Sequence, residues 1–87
     1  MDDLVLVNIG SFGYALKLLQ SGQCVQRKGW NGKNLKLQLV NPKDSVESLP
    51  YIRMIYPSDN EHTPNASVPW LASQTDVLAN DWQIVDL

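Results

Sequence analysis

Asn31-Gly32 is the dipeptide that most narrows what this chain can fold into. A two-residue type I′ turn needs positive φ at both central positions, which Asn and Gly tolerate best, so Asn-Gly between β-compatible arms signals a hairpin. The arms run Cys24 to Trp30 and Lys33 to Val40. In the second, Leu35, Leu37 and Leu39 alternate with Lys36, Gln38 and Val40, the period of a half-buried strand. Tyr51 to Tyr56 predicts a further strand, with Arg53 on the face opposite Ile52 and Met54, and Trp82 to Val85 predicts a last one. Leu4 to Ile9 is a short apolar, β-branched run and a candidate edge strand.

Two helices complete the outline. Ser11 is the expected N-cap of the first, because Phe12, Ala15, Leu16 and Leu19 follow it at helical spacing. Gly22 suits the left-handed position that ends such a helix, which places it over residues 12–21. Ser73 with Asp76 three residues on resembles a capping box and predicts a short helix over 74–79, with Asn80 taking the αL position at its end. "NPKDSVESLP" reads as a loop, and "PSDNEHTPNAS" as a long polar connection. The expected fold class is α+β: a small antiparallel sheet packed on one longer N-terminal helix, with a second short helix near the C-terminus. One domain is expected over 1–87, with 1–10 as an extension or strand and 57–67 as a long polar loop.

Totals exclude several function classes. A chain of 87 residues buries only about 60–65 % of the surface it exposes unfolded, so it is marginal alone and oligomerisation is a common remedy. One cysteine, Cys24, precludes an internal disulfide, and with one histidine, His62, it is too little for a zinc site. Cys24 reads as a small buried hydrophobe, and His62, Asp44 and Glu47 as solvated loop residues. A net charge of −2 argues against general nucleic-acid binding. The run Leu4 to Ile9 is far too short for a membrane span and has no positive n-region before it, so the chain reads as cytoplasmic. No nucleophile with its base, carboxylate pair, Gly-rich phosphate loop or metal spacing is present in the pattern, so neither an enzyme nor a bound cofactor is expected.

Two tryptophan neighbourhoods carry the remaining chemistry. "RKGWNGKN" sets Trp30 at the tip of a basic turn, and a flat ligand ring gains roughly 1–3 kcal/mol by stacking on an aromatic side chain. Arg27 or Lys28 is placed to meet phosphate oxygens, Arg more effectively through its bidentate fork. Equally, Trp30 caps the end of the core and the cations form a solvated face. In "PWLASQTDVLANDW", Ser73, Thr75 and Asp76 gather at a helix start that favours anions, and Asp76 is a good acceptor for ribose hydroxyls. Against that, Ser73 and Asp76 serve simply as caps, and Trp82 is a core residue of the last strand.

The order of these pieces resembles a known family. "FGYALKLLQSGQCVQRKGWNGKN" is similar to an F-G-x-A-L … R-x-G-W-N-G opening, and "PWLASQTDVLANDW" to a W-x-x-S-x-x-D helix followed by a D-W strand. "PYIRMIY" takes the place of the middle strand, so the likeness runs from about Phe12 to Val85. The family is that of the Thoeris anti-defence proteins of the second type, small phage and prophage proteins. In Thoeris defence a TIR enzyme consumes NAD and makes a cyclic ADP-ribose signal that activates a toxic effector. The resemblance implies a sponge that binds such a signal (glycocyclic ADP-ribose, 1''-3' or 1''-2' isomer) without cleaving it, in the cytoplasm of the infected host. It also implies a homotetramer with pockets where protomers meet, no membrane and no direct nucleic-acid partner.

On that reading Trp30 stacks on the base and Trp70 adds a second apolar or stacking contact. Ser73, Thr75 and Asp76 bind ribose hydroxyls or phosphate, Arg27 and Arg53 meet phosphate, and Asn31 and Asn80 offer further hydrogen bonds. Relatives that take cyclic oligonucleotide signals, and one that resembles an anti-CRISPR, keep two alternatives open. These are a sponge for cyclic oligonucleotides and a protein–protein inhibitor of a host defence nuclease. The segments "MDDLVLVNIGS" and "PSDNEHTPNAS" are longer than the family pattern.

Overall fold

A computed structural model describes residues 7–30, 34–42, 49–60 and 64–85. Five strands, β1 (Cys24–Arg27), β2 (Lys36–Val40), β3 (Tyr51–Ile55), β4 (Ser67–Pro69) and β5 (Trp82–Val85), form one antiparallel sheet in the order β4-β3-β2-β1-β5. Helix α1 (Phe12–Gln20) lies against β1, β2 and β5, and α2 (Gln74–Leu78) is a short helix before the last strand. The architecture is the expected α+β one.

The sheet's two faces follow from its register. Ile84, Val25, Leu37, Met54 and Val68 are successive cross-strand partners, so they share a face because side chains alternate along each strand. On that face Ala15 and Leu19, one helical turn apart on α1, are buried against Val25, Leu37 and Trp82. Burial of each large apolar side chain contributes about 1.5–3 kcal/mol. Cys24 points the other way from Val25 and is fully buried, as a small hydrophobe with a free thiol.

The ends of α1 are set by local chemistry. Ser11 Oγ accepts from the Tyr14 N–H at 3.2 Å, as an N-cap does. At the other end Gly22 has φ +94°, its N–H donates to the Leu19 carbonyl, and the Gln23 N–H donates to the Leu18 carbonyl at 2.9 Å. This is the paired closure of a Schellman motif, made by a residue without a Cβ penalty.

Gly10 is required for a different reason. Its φ is +95°, its carbonyl accepts from the Trp82 N–H at 2.9 Å, and a Cβ there would collide with the Asn80 carbonyl oxygen. Gly10→Ala is expected to destabilise the chain by about 2 kcal/mol or more, from backbone strain plus that clash. A urea midpoint unchanged from wild type would contradict this reading.

Four sequence expectations need correction. Residues 7–9 form no strand; they lead into the turn at Gly10, and 4–6 lie outside the described residues. The first arm does not stay a strand as far as Trp30. β1 ends at Arg27, Lys28–Trp30 is a 3₁₀ turn, and Val25 opposite Leu37 is the register pair, while Asn31-Gly32 itself lies outside the described residues. Asn80 does not adopt αL: α2 leaves through Ala79 in an extended conformation (φ −70°, ψ 154°). The expected 57–67 loop ends one residue early, because Ser67 opens β4, a strand that the pattern did not predict. A proline is tolerated in β4 because it is the edge strand, where a missing N–H need not face a neighbour. Much of "NPKDSVESLP", including Asp44 and Glu47, lies outside the described residues, as does His62.

Candidate functional site

Trp82 is the hub on which the candidate site is built. It is 2 % exposed, and three aromatic rings surround it: Trp30 at 5.5 Å, Phe12 at 5.7 Å and Trp70 at 6.0 Å between centroids. Trp30 and Trp70 both meet it nearly perpendicularly, at 79° and 85°, the edge-to-face geometry that the ring quadrupole favours. Both outer rings are only partly buried, so the inner tryptophan is core and the outer two keep surface to offer. The Trp82 indole N–H donates to the Asp76 carbonyl at 3.0 Å, giving one of the last carbonyls of α2 the partner that an αL cap would otherwise supply.

Beside this cluster sits an ion network. Arg27 Nε donates to Asp81 Oδ1 at 2.9 Å and its Nη1 to Asp76 Oδ1 at 3.0 Å. Asp81 Oδ2 accepts the Gly29 N–H at 2.8 Å. Asp76 Oδ2 accepts the Ser73 N–H at 3.1 Å and the Ser73 hydroxyl at 2.9 Å, while Ser73 Oγ accepts the Asp76 N–H at 3.2 Å. The capping box predicted from Ser73 and Asp76 is present in full. Thr75 Oγ1 stands 2.8 Å from Ser73 Oγ.

These contacts set the charges. Burial pushes the Asp76 carboxyl up, but hydrogen bonds from the Ser73 N–H, Arg27 and the Ser73 hydroxyl outweigh it and hold the group below the usual carboxylate range. Asp81 behaves likewise: burial raises it, and the Arg27 guanidinium and Gly29 N–H more than compensate. Arg27 is raised, first by its hydrogen bond to Asp81 and then by that to Asp76. A carboxyl whose folded pKa is depressed contributes stability above its unfolded pKa and loses it as pH falls through the folded value. The melting temperature is therefore expected to lose this contribution below about pH 4, and Asp81→Asn to flatten that acid limb. Acid melts of the two proteins that run parallel would contradict the assignment.

The structure gathers most of the expected site residues but not all. Trp30, Trp70, Asp76 and Arg27 meet Trp82 directly or across the β1–β5 register, and Ser73 and Thr75 join them through Asp76 at the start of α2. Arg27 is engaged by two carboxylates, so a phosphate approaching it also approaches Asp76 and Asp81. Arg53 is not in the cluster. It stands opposite Gln38 in the register, on the sheet face away from Leu37 and Met54, and donates through Nε and Nη2 to Gln38 Oε1 at 3.1 and 2.6 Å. Arg53 and Gln38 line a shallow groove of about 270 Å³ there. The Asn80 side chain is exposed on the link between α2 and β5, and Asn31 lies outside the described residues. Sequence reasoning gave no role to Asp81 or Gly29, although both lie inside the quoted motifs.

The fold and site together define a small α+β domain in which two partly exposed tryptophans pack on Trp82 beside an Arg27–Asp76–Asp81 ion network. The Thoeris anti-defense 2-like domain model matches residues 10–85, and the chain belongs to that family. It is also similar to Thoeris anti-defense 2 of Bacillus phage SP01, with 38 % identity over 89 residues, covering 86 % of this chain and 93 % of the phage protein.

Proposed function

We propose that this protein counters Thoeris defence in an infected bacterium as a sponge, binding and holding a TIR-made cyclic ADP-ribose signal without cleaving it. Family membership supports the anti-Thoeris role. The observation that carries the ligand reading is Trp30: a partly buried ring set edge-on against Trp82, beside the network of Arg27, Asp76 and Asp81. Such a ring is already oriented for a base to stack on, and both carboxylates are already engaged on both oxygens. Held below the usual carboxylate range, they are poor proton acceptors near neutral pH, which suits retention better than hydrolysis.

In this reading Trp30 and Trp70 contact the rings, Ser73 and Thr75 meet ribose or phosphate oxygens, and Asp76 accepts from ribose hydroxyls. Arg53 contributes from the sheet face away from Leu37 and Met54, and Asn31 and Asn80 offer further hydrogen bonds, which calls for a pocket shared between protomers. Leu71 is 91 % exposed and Leu78 75 %, beside Trp70 and on α2 respectively. Assembly into a tetramer that buries such side chains is part of this reading.

The test is retention without turnover. Purified protein is mixed with glycocyclic ADP-ribose, freed of unbound ligand by gel filtration and heat-denatured, and the released nucleotide is chromatographed. Recovery of intact ligand is the expected result. Recovery of a linear product would establish an enzyme instead, and a protein fraction with no nucleotide would favour inhibition of a host protein by surface contact.

A further inference from the structure

Trp30 sits on a turn that cannot hold itself. The 3₁₀ segment Lys28–Trp30 is three residues long, and such a turn has almost no internal hydrogen bonding. Its restraint comes from one residue far away in sequence. Arg27 Nε donates to Asp81 Oδ1 at 2.9 Å, the Lys28 N–H to the Asp81 carbonyl at 3.0 Å, and the Gly29 N–H to Asp81 Oδ2 at 2.8 Å. Three successive residues leading to Trp30 are thus tied to three different oxygens of Asp81. The next residue, Trp82, then supports the Trp30 ring itself at 5.5 Å.

Gly29 completes the device. A Cβ at that position would stand 3.1 Å from Asp81 Oδ2, so a side chain would push on the carboxylate that its own N–H binds. The glycine between Lys28 and Trp30 lets that carboxylate sit close without having to give way.

We propose that Asp81 is a positioning residue for ligand binding, fixing the Trp30 ring in its stacking orientation before the ligand arrives. The inference rests on the reading of Trp30 as the stacking platform. Asp81 acts through Trp30, because its two carboxylate oxygens and its backbone carbonyl all hold the residues that lead to that ring. A ring held in place loses less freedom on binding, which is how preorganisation raises affinity.

A double-mutant cycle on the full chain tests this, with glycocyclic ADP-ribose as the probe and titration calorimetry as the readout. Asp81→Ala is expected to weaken binding by about 5- to 30-fold, a part of what removing a base stack costs. In a Trp30→Ala background the same substitution is expected to add almost nothing, because the residue it positions is gone. The near-UV circular dichroism from the Trp30–Trp82 pair is expected to fall in Asp81→Ala while the far-UV spectrum is kept. If Asp81→Ala does not fold, Asp81→Asn, which keeps the volume and one acceptor, is put through the same cycle.

Wild-type affinity in the Asp81 variant, with Trp30→Ala still weak, overturns the positioning role and leaves the stacking reading standing. Equal weakening in both backgrounds also overturns it. Wild-type affinity in Trp30→Ala removes the stacking reading, and the role of Asp81 with it.

Discussion

Trp82→Ala is expected to lower stability by about 3–5 kcal/mol, the range for truncating a large buried aromatic side chain. Native domains have only about 5–15 kcal/mol in total, and a chain of this length has a small core to compensate. The loss has three sources. The ring fills the centre of the core with Leu19, Val25 and Leu37. It is the common partner of Phe12, Trp30 and Trp70, and each such aromatic pair contributes about 0.5–1.5 kcal/mol beyond burial. Its indole N–H also satisfies the Asp76 carbonyl. Trp82→Phe keeps part of the volume but not that hydrogen bond, so it is expected to fall between the two. Urea denaturation of both variants checks the order. A Trp82→Ala protein within about 1 kcal/mol of wild type would mean that the core is centred elsewhere.

Trp30→Ala is expected to do the opposite: keep the fold and lose the ligand. Trp30 is partly buried and leans on Trp82 from outside, at the end of β1, so its removal leaves the Leu19–Val25–Leu37 contacts in place. Loss of a stacked base costs roughly 1–3 kcal/mol, about 5- to 150-fold in affinity. Truncation also uncovers one face of Trp82, so a modest drop in melting temperature accompanies it. Calorimetric titration beside a thermal melt separates the two effects. A variant that melts near wild type and binds with unchanged affinity contradicts the stacking role. One that fails to fold places Trp30 in the core proper.

What the sequence disclosed is what neighbouring residues decide. The Ser11 cap, the Gly22 closure, the Ser73–Asp76 box and the Trp82–Val85 strand each follow from groups a few positions apart, and each stands in the structure. The α+β outline follows from those elements. The strand expected to run on to Trp30 stops at Arg27, and Asp81, one residue before β5, takes the Lys28 and Gly29 amides of the turn that follows. Arg27 and Asp81 are 54 residues apart, so no local pattern connects them. β4 escaped notice because it is three residues long, ends in proline and follows a polar segment, and only its pairing with Arg53, Met54 and Ile55 makes it a strand. Asn80 was expected to end α2 with positive φ, but the Asp76 carbonyl near the end of that helix takes the Ala79 N–H and the Trp82 indole instead. The site was legible as two motifs; that Arg27 joins them through Asp76 and Asp81 is a matter of tertiary structure.

Binding of a cyclic ADP-ribose signal is read out by calorimetric titration of the purified protein with glycocyclic ADP-ribose. A saturable isotherm and a matching thermal stabilisation are expected, about 2.7 kcal/mol when free ligand stands at 100 times Kd. A flat titration with an unshifted melt would contradict it.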